Sequence, residues 1–120
     1  MIVAGFGYRS GATVESLSSA LKATGYTGQI SALATASDKT NLVQEFGHTL
    51  SLDVHGIAPM DLTGTQTKTQ SGQSITHRNT GSVSEAAALF AAGSGASLIS
   101  PRAISEDRLA TCAIAKGDAQ

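Results

Sequence analysis

The chain has 120 residues, 41% of them hydrophobic and 14% charged, which suits one folded domain and is too apolar for a disordered segment and too poor in charge for a coiled coil. Eight Lys and Arg against nine Asp and Glu leave a formal charge of -1, so the field of the whole molecule offers nucleic acid or an anionic lipid surface no general attraction. The longest uninterrupted apolar stretch, Ala86 to Ala92, has seven residues, against the roughly 18 that a membrane-crossing helix requires. Cys112 is the only cysteine, which excludes an internal disulfide and any multi-cysteine zinc or iron–sulfur site and leaves the thiol as a small buried apolar group.

Met1 to Ala4 reads as a first strand rather than a signal peptide, having no basic region and no long apolar segment, and the expected location is the cytoplasm. From Thr13 onward Val14, Leu17, Ala20 and Leu21 follow the spacing of a one-sided helix, with Thr13 as its cap, Glu15 in its first turn and Gly25 as its terminator. Ile30 to Ala34 reads as a second strand, and Asp38 as the cap of a helix through Leu42, Val43 and Phe46 that stops at Gly47. Thr49 to Val54 alternates weakly as a third strand, with a short helical turn after Pro59 at Met60 to Leu62.

Gly64 to Ser74 contains no large apolar side chain in eleven residues and is expected to be a mobile loop. Ser82 and Glu85 have the spacing of a capping box at the head of the helix Ala86 to Ala92. Ser97 to Ser100 and Thr111 to Ala115 read as closing strands on either side of the polar segment Arg102 to Arg108, close enough to form a hairpin. Alternating strands and helices with a final hairpin predict a single α/β domain over 1–120, a three-layer α/β/α arrangement with a mostly parallel mixed sheet.

The segment Gly5-Phe6-Gly7-Tyr8-Arg9-Ser10-Gly11 is expected to form a glycine loop between the first strand and the first helix. It is one residue longer than the usual dinucleotide fingerprint, and Ala32 to Ala36 offer no acidic residue where a ribose-binding Asp or Glu would sit, so a nicotinamide cofactor is not implied. The loop chemistry stands without one. Amides turned to one point at a helix start make an anion pocket, to which Arg9 adds a carboxylate-matching fork; the alternative is a tight turn with Arg9 solvated. Thr80-Gly81-Ser82 repeats the device, with the donors His77, Arg78 and Asn79 before it, and the two loops are expected to face one cleft; the alternative is that Ser82 and Glu85 only cap their helix. Lys39, after the second strand, and Arg102, after Pro101, read equally as anion ligands and as solvated surface. His48, His55 and His77 lack metal-ligand spacing, and no Gly-x-Ser-x-Gly elbow or base beside Ser10 marks a nucleophile.

Taken in order, Val3 to Gly11 with Glu15 and Leu17, Ala32-Leu33-Ala34-Thr35 with Asp38 and Lys39, Thr80-Gly81-Ser82-Val83-Ser84-Glu85-Ala86-Ala87-Ala88, and Thr111 to Ala115 resemble the CobE/CbiG C-terminal domain family of cobalamin (vitamin B12) biosynthesis, in its stand-alone CobE-like form. The resemblance spans essentially the whole chain. It implies tetrapyrrole binding, the ligand being a corrin or precorrin intermediate whose acetate and propionate arms suit amide-lined pockets; the loop, helix-start and cationic residues Gly5, Gly7, Arg9, Ser10, Gly11, Lys39, Thr80, Gly81, Ser82 and Glu85 are then the expected binding residues. No cofactor is implied. Longer CbiG proteins, which carry an additional N-terminal portion, are hydrolases that open a precorrin-5 type lactone, so hydrolysis is an alternative to binding and handover, with Glu15, Glu85 or His77 as the base. A third is a non-catalytic partner subunit of another cobalamin-pathway enzyme.

Overall fold

The computed structural model describes residues 2–58, 83–93 and 95–117. Among the described residues five strands form one sheet: β1 (Ile2–Tyr8), β2 (Ala32–Ala36), β3 (Asp53–Ile57), β4 (Ser97–Ile104) and β5 (Ala110–Lys116), in the order β3-β2-β1-β5-β4. β1 pairs in parallel with β2 at Val3 and Ala32, and β2 with β3 at Ala32 and Asp53. On its other side β1 lies antiparallel to β5 from Ile2 opposite Lys116 to Tyr8 opposite Ala110, and β5 is antiparallel to β4 in the expected hairpin. β1 to β4 therefore share one direction and β5 alone runs against them.

Alternation along the strands sorts the side chains into two cores. Ala4 and Phe6 of β1, Leu33 of β2 and Cys112 and Ile114 of β5 meet Leu17 and Ala20 of α1 (Val14–Ala23) and Val43 and Phe46 of α2 (Thr40–Leu50). The Phe6 and Phe46 rings pack edge to face, their centroids 5.8 Å apart. Val3, Ala34, Ala36 and Ala115 face the other way, onto Ala86, Ala87, Ala88 and Ala92 of α3 (Val83–Ala92). Every residue of β2 is buried, as a strand covered on both faces must be.

The alanine run of α3 exists because that helix lies directly on the backbone of β1. A Cβ on Gly5 would stand 2.1 Å from the Ser84 carbonyl oxygen and 2.6 Å from the Ala88 nitrogen. At the other end of the helix, a Cβ on Gly117 would stand 2.1 Å from the Ala92 carbonyl oxygen. These contacts run α3 antiparallel to β1, with Val83 against Gly7 at the strand's carboxyl end.

Several element boundaries differ from the sequence expectation. β1 continues four residues past Ala4 to Tyr8, so Gly5 and Gly7 belong to the ladder and not to a loop. β2 begins at Ala32 rather than Ile30, and β3 at Asp53, Thr49 and Leu50 being helical. Asp38 does not cap α2, which is entered through a 3-10 turn, Ser37–Lys39, without any side-chain cap. Nor does Gly47 end it: that residue is buried within the helix, where a Cβ would come within 2.7 Å of Val54 Cγ2, and the terminator is Ser51 in the left-handed region at φ 58°. β4 runs on through Pro101 and Arg102 to Ile104, because an edge strand tolerates a residue without an N–H and the pairing to β5 shifts register on both sides of Ser100. The expected turn after Pro59, the Gly64 to Ser74 loop and Thr80, Gly81 and Ser82 lie outside the described residues. Among the described residues no helix is long and apolar enough to cross a membrane.

Candidate functional site

Parallel strands with covering helices bring helix N-termini to the carboxyl ends of the strands, where α/β sheets hold ligands. Here the start of α1 follows β1, the 3-10 turn and α2 follow β2, and the first turn of α3 rests on Gly7. The edge formed by the ends of β1 and β2 carries Tyr8, Arg9 and Lys39.

Arg9, Ser10 and Gly11 are exposed and make the connection to α1. The Arg9 amide donates to the Leu109 carbonyl at 2.9 Å and its carbonyl accepts from the Ala12 amide at 3.1 Å, closing a turn in which Gly11 has φ +94°. Lys39, half-buried, sits on the adjoining strand's exit. Its ammonium lies 5.2 Å from the centroid of the Tyr8 ring, and its carbonyl accepts the Tyr8 hydroxyl at 2.9 Å. The structure thus brings Arg9 to Gly11 and Lys39 to one edge of the sheet.

Gly5, Gly7 and Glu85 are placed otherwise. Gly5 is buried, with Ala34 opposite it on one side and Ala113 on the other, so its role is to admit α3 and not to present an amide to a ligand. Gly7, opposite Thr111, is half-buried beneath Val83. Glu85 is completely buried, and its Oε2 accepts the backbone amide of Arg102 at 2.8 Å, which ties α3 to the irregular stretch of β4. That position between helix and sheet removes it from any open cleft.

The first turn of α1 already has an anion of the chain's own beside it. Thr13 and Ser16 cap each other reciprocally, and the Ser16 hydroxyl donates to Asp107 Oδ2 at 2.6 Å. Asp107 Oδ1 accepts the Ser105 hydroxyl at 2.5 Å and the Leu109 amide at 3.0 Å. The hydroxyls of Ser105 and then Ser16, with the Leu109 amide, hold the Asp107 carboxyl below its ordinary range. An anionic ligand at this edge would therefore meet a helix start with a neighbouring carboxylate, and among the described residues Arg9 and Lys39 supply positive charge there.

Tyr8 and Asp107 escaped the sequence reading. A signal for Tyr8 was available in its place beside Arg9 at the end of the first strand; Asp107 sits in a hairpin turn whose contact with Ser16 spans 91 residues, and nothing local announces it. Cys112 is buried as expected, and burial pushes its thiol well up from the ordinary value.

Residues 2–115 match the family described as Cobalamin synthesis G C-terminus. The fold is similar to that of CobE, a protein from the cobalamin (vitamin B12) biosynthetic pathway, with a TM-score of 0.84 and 28% identity over 96% of this chain and 89% of that one. It is also similar to the cobalamin biosynthesis protein chiG from Agrobacterium tumefaciens, with a TM-score of 0.73 and 32% identity over 99% of this chain and all, 100%, of that one. A cobalamin biosynthesis protein G homologue from Sulfolobus solfataricus shares the fold at a TM-score of 0.69 and 18% identity, over 95% of this chain and 36% of its own. No curated protein matches the sequence.

Proposed function

Because the chain belongs to the family of the cobalamin synthesis G C-terminus, we propose that it binds an anionic corrin or precorrin intermediate at the carboxyl edge of β1 and β2 and hands it to another enzyme of the pathway. The observation that carries this reading is the placement of Arg9 and Lys39 on the exits of two adjacent parallel strands, beside Tyr8. A corrin bears several carboxylate arms around its ring. A guanidinium fork matches one carboxylate in two hydrogen bonds, and an ammonium meets a second as a point charge.

Each contact is modest alone, about 1 to 3 kcal/mol for a charge-assisted hydrogen bond or fork, so binding depends on several arms engaging together. Exchange between enzymes needs that kind of grip. The lactone-hydrolase alternative loses one of its bases, because the Glu85 carboxylate is buried and bonded to the Arg102 amide.

Titrating the purified protein with cobyrinic acid, and separately with a lactone-bearing precorrin, while following the ring spectrum and the lactone content tests the proposal. Saturable binding with the lactone intact is expected, together with a loss of about 5- to 100-fold in affinity for Arg9→Ala or Lys39→Ala. Arg9→Lys keeps the charge without the fork and should fall between wild type and Arg9→Ala. Catalytic loss of the lactone would make the protein an enzyme, and unchanged affinity in both alanine variants would move the site elsewhere.

A further inference from the structure

Tyr8 touches Lys39 twice, and the two contacts restrain different parts of that residue. The hydroxyl donates to the Lys39 carbonyl at 2.9 Å, at the junction where the 3-10 turn becomes α2 and no side chain caps the helix. The ring lies 5.2 Å from the Lys39 ammonium, within the range at which a cation is drawn to an aromatic face. One bond fixes where the backbone leaves β2; the other fixes where the charge goes.

A lysine on an open surface samples many rotamers, and a ligand that meets it must order it first. A lysine already laid across a ring has lost that freedom before the ligand arrives, while its three N–H groups still have directions free of the ring face. Tyr8 is itself anchored. It ends β1 opposite Ala110 and packs against the core shared by α1 and α2.

We infer that Tyr8 is the positioning residue of the carboxylate site: it presets Lys39 on the exit of β2 at a fixed place relative to Arg9 on the exit of β1. The inference rests on the site proposed above and deepens it. It makes Lys39 a preset cation beside Arg9, favouring a ligand whose carboxylates are held on a stiff frame over a flexible dicarboxylate.

Two measurements separate the contact from the site. In the free protein, the proton resonances of the Lys39 ε-methylene should lie upfield from ring current, stay upfield in Tyr8→Phe and return to the ordinary position in Tyr8→Leu. Cobyrinic acid binding should then weaken about tenfold in Tyr8→Leu and about threefold in Tyr8→Phe, which keeps the ring and loses the hydroxyl. In a Lys39→Ala background, Tyr8→Leu should weaken binding no further, which a purely structural role for Tyr8 would not produce. Equal weakening with and without Lys39, or wild-type affinity in Tyr8→Leu, overturns the positioning role and leaves the site standing. An ordinary methylene shift in the wild type overturns it without any ligand. Failure of the wild type to bind cobyrinic acid overturns the site and this role together, whatever the methylene shift shows. Should Tyr8→Leu fail to fold, the threefold loss in Tyr8→Phe and its cancellation by Lys39→Ala decide the matter.

Discussion

Glu85 on the first turn of α3 holds the backbone amide of Arg102 on β4 at 2.8 Å, a carboxylate with no exposed surface bonded to an edge strand where its register slips. The bond joins the helix on one face of the sheet to a strand at its edge. Glu85→Ala leaves the Arg102 amide without this acceptor and opens a cavity, and should destabilise the fold by about 2 to 4 kcal/mol. Glu85→Gln retains an acceptor and should lose less. Urea unfolding of the two variants checks the order, and equal losses would mean that neither the volume nor the acceptor that Gln retains contributes.

Gly5 and Gly7 occupy the same strand and the same face, yet they should respond differently to a methyl group. At Gly5 the new carbon meets the Ser84 carbonyl oxygen at 2.1 Å and the Ala88 nitrogen at 2.6 Å, both backbone atoms that cannot turn aside. Gly5→Ala should therefore cost about 3 kcal/mol or more by forcing α3 off the sheet. At Gly7 the nearest atom is the Thr111 hydroxyl oxygen at 3.1 Å. A side chain can give way there, so Gly7→Ala should cost about 1 kcal/mol or less. Thermal unfolding midpoints compare them directly.

Asp107 supplies a pH signature. Its folded carboxyl is held below the ordinary value by the Ser105 and Ser16 hydroxyls and the Leu109 amide. A depressed folded value means that the stabilisation is fully present above the unfolded value, close to 4, and fades as pH falls from there through the folded value. The stability difference between wild type and Asp107→Asn should accordingly be constant between pH 7 and 5 and shrink below about pH 4. A difference that persists undiminished to the lowest pH at which the protein stays folded would show that ionisation of Asp107 plays no part.

Cys112 lies in the core beside Ile114, and burial pushes its thiol up. Since the thiolate is the reactive form, modification by a disulfide reagent at neutral pH should be far slower in the native protein than after denaturation, and its rate should report opening of the β1–β5 core. Fast native labelling would contradict this burial.

The layer order was readable from local pattern: Thr13 announces the start of α1, and two short apolar runs around a polar turn announce the β4–β5 hairpin. The glycines were harder, because a glycine that frees a turn and a glycine that admits another backbone look alike in one dimension. Gly11 and Gly25 are of the first kind, with φ of +94° and +76°. Gly5 and Gly47 are of the second, and what requires them is Ser84 and Ala88 in one case and Leu52 and Val54 in the other. For the site, Arg9 and Lys39 were legible as cations next to strand ends. The Tyr8–Lys39 contact spans 31 residues and the Glu85–Arg102 bond 17, and separations of that kind are decided by packing.

The seating of α3 on glycine has a mechanical consequence. The helix bears on the sheet at two points, Ser84 above Gly5 and Ala92 above Gly117, about 12 Å apart at 1.5 Å of rise per residue. Interfaces built from long side chains absorb a small roll or slide by switching rotamers; one built from backbone and methyl groups has no such slack. At these two bearings α3 lacks that slack, so a roll about its axis or a slide along β1 must lift it from the sheet there. The first turn should therefore keep a constant height over Gly7, and with it the carboxyl edge of the sheet a constant shape.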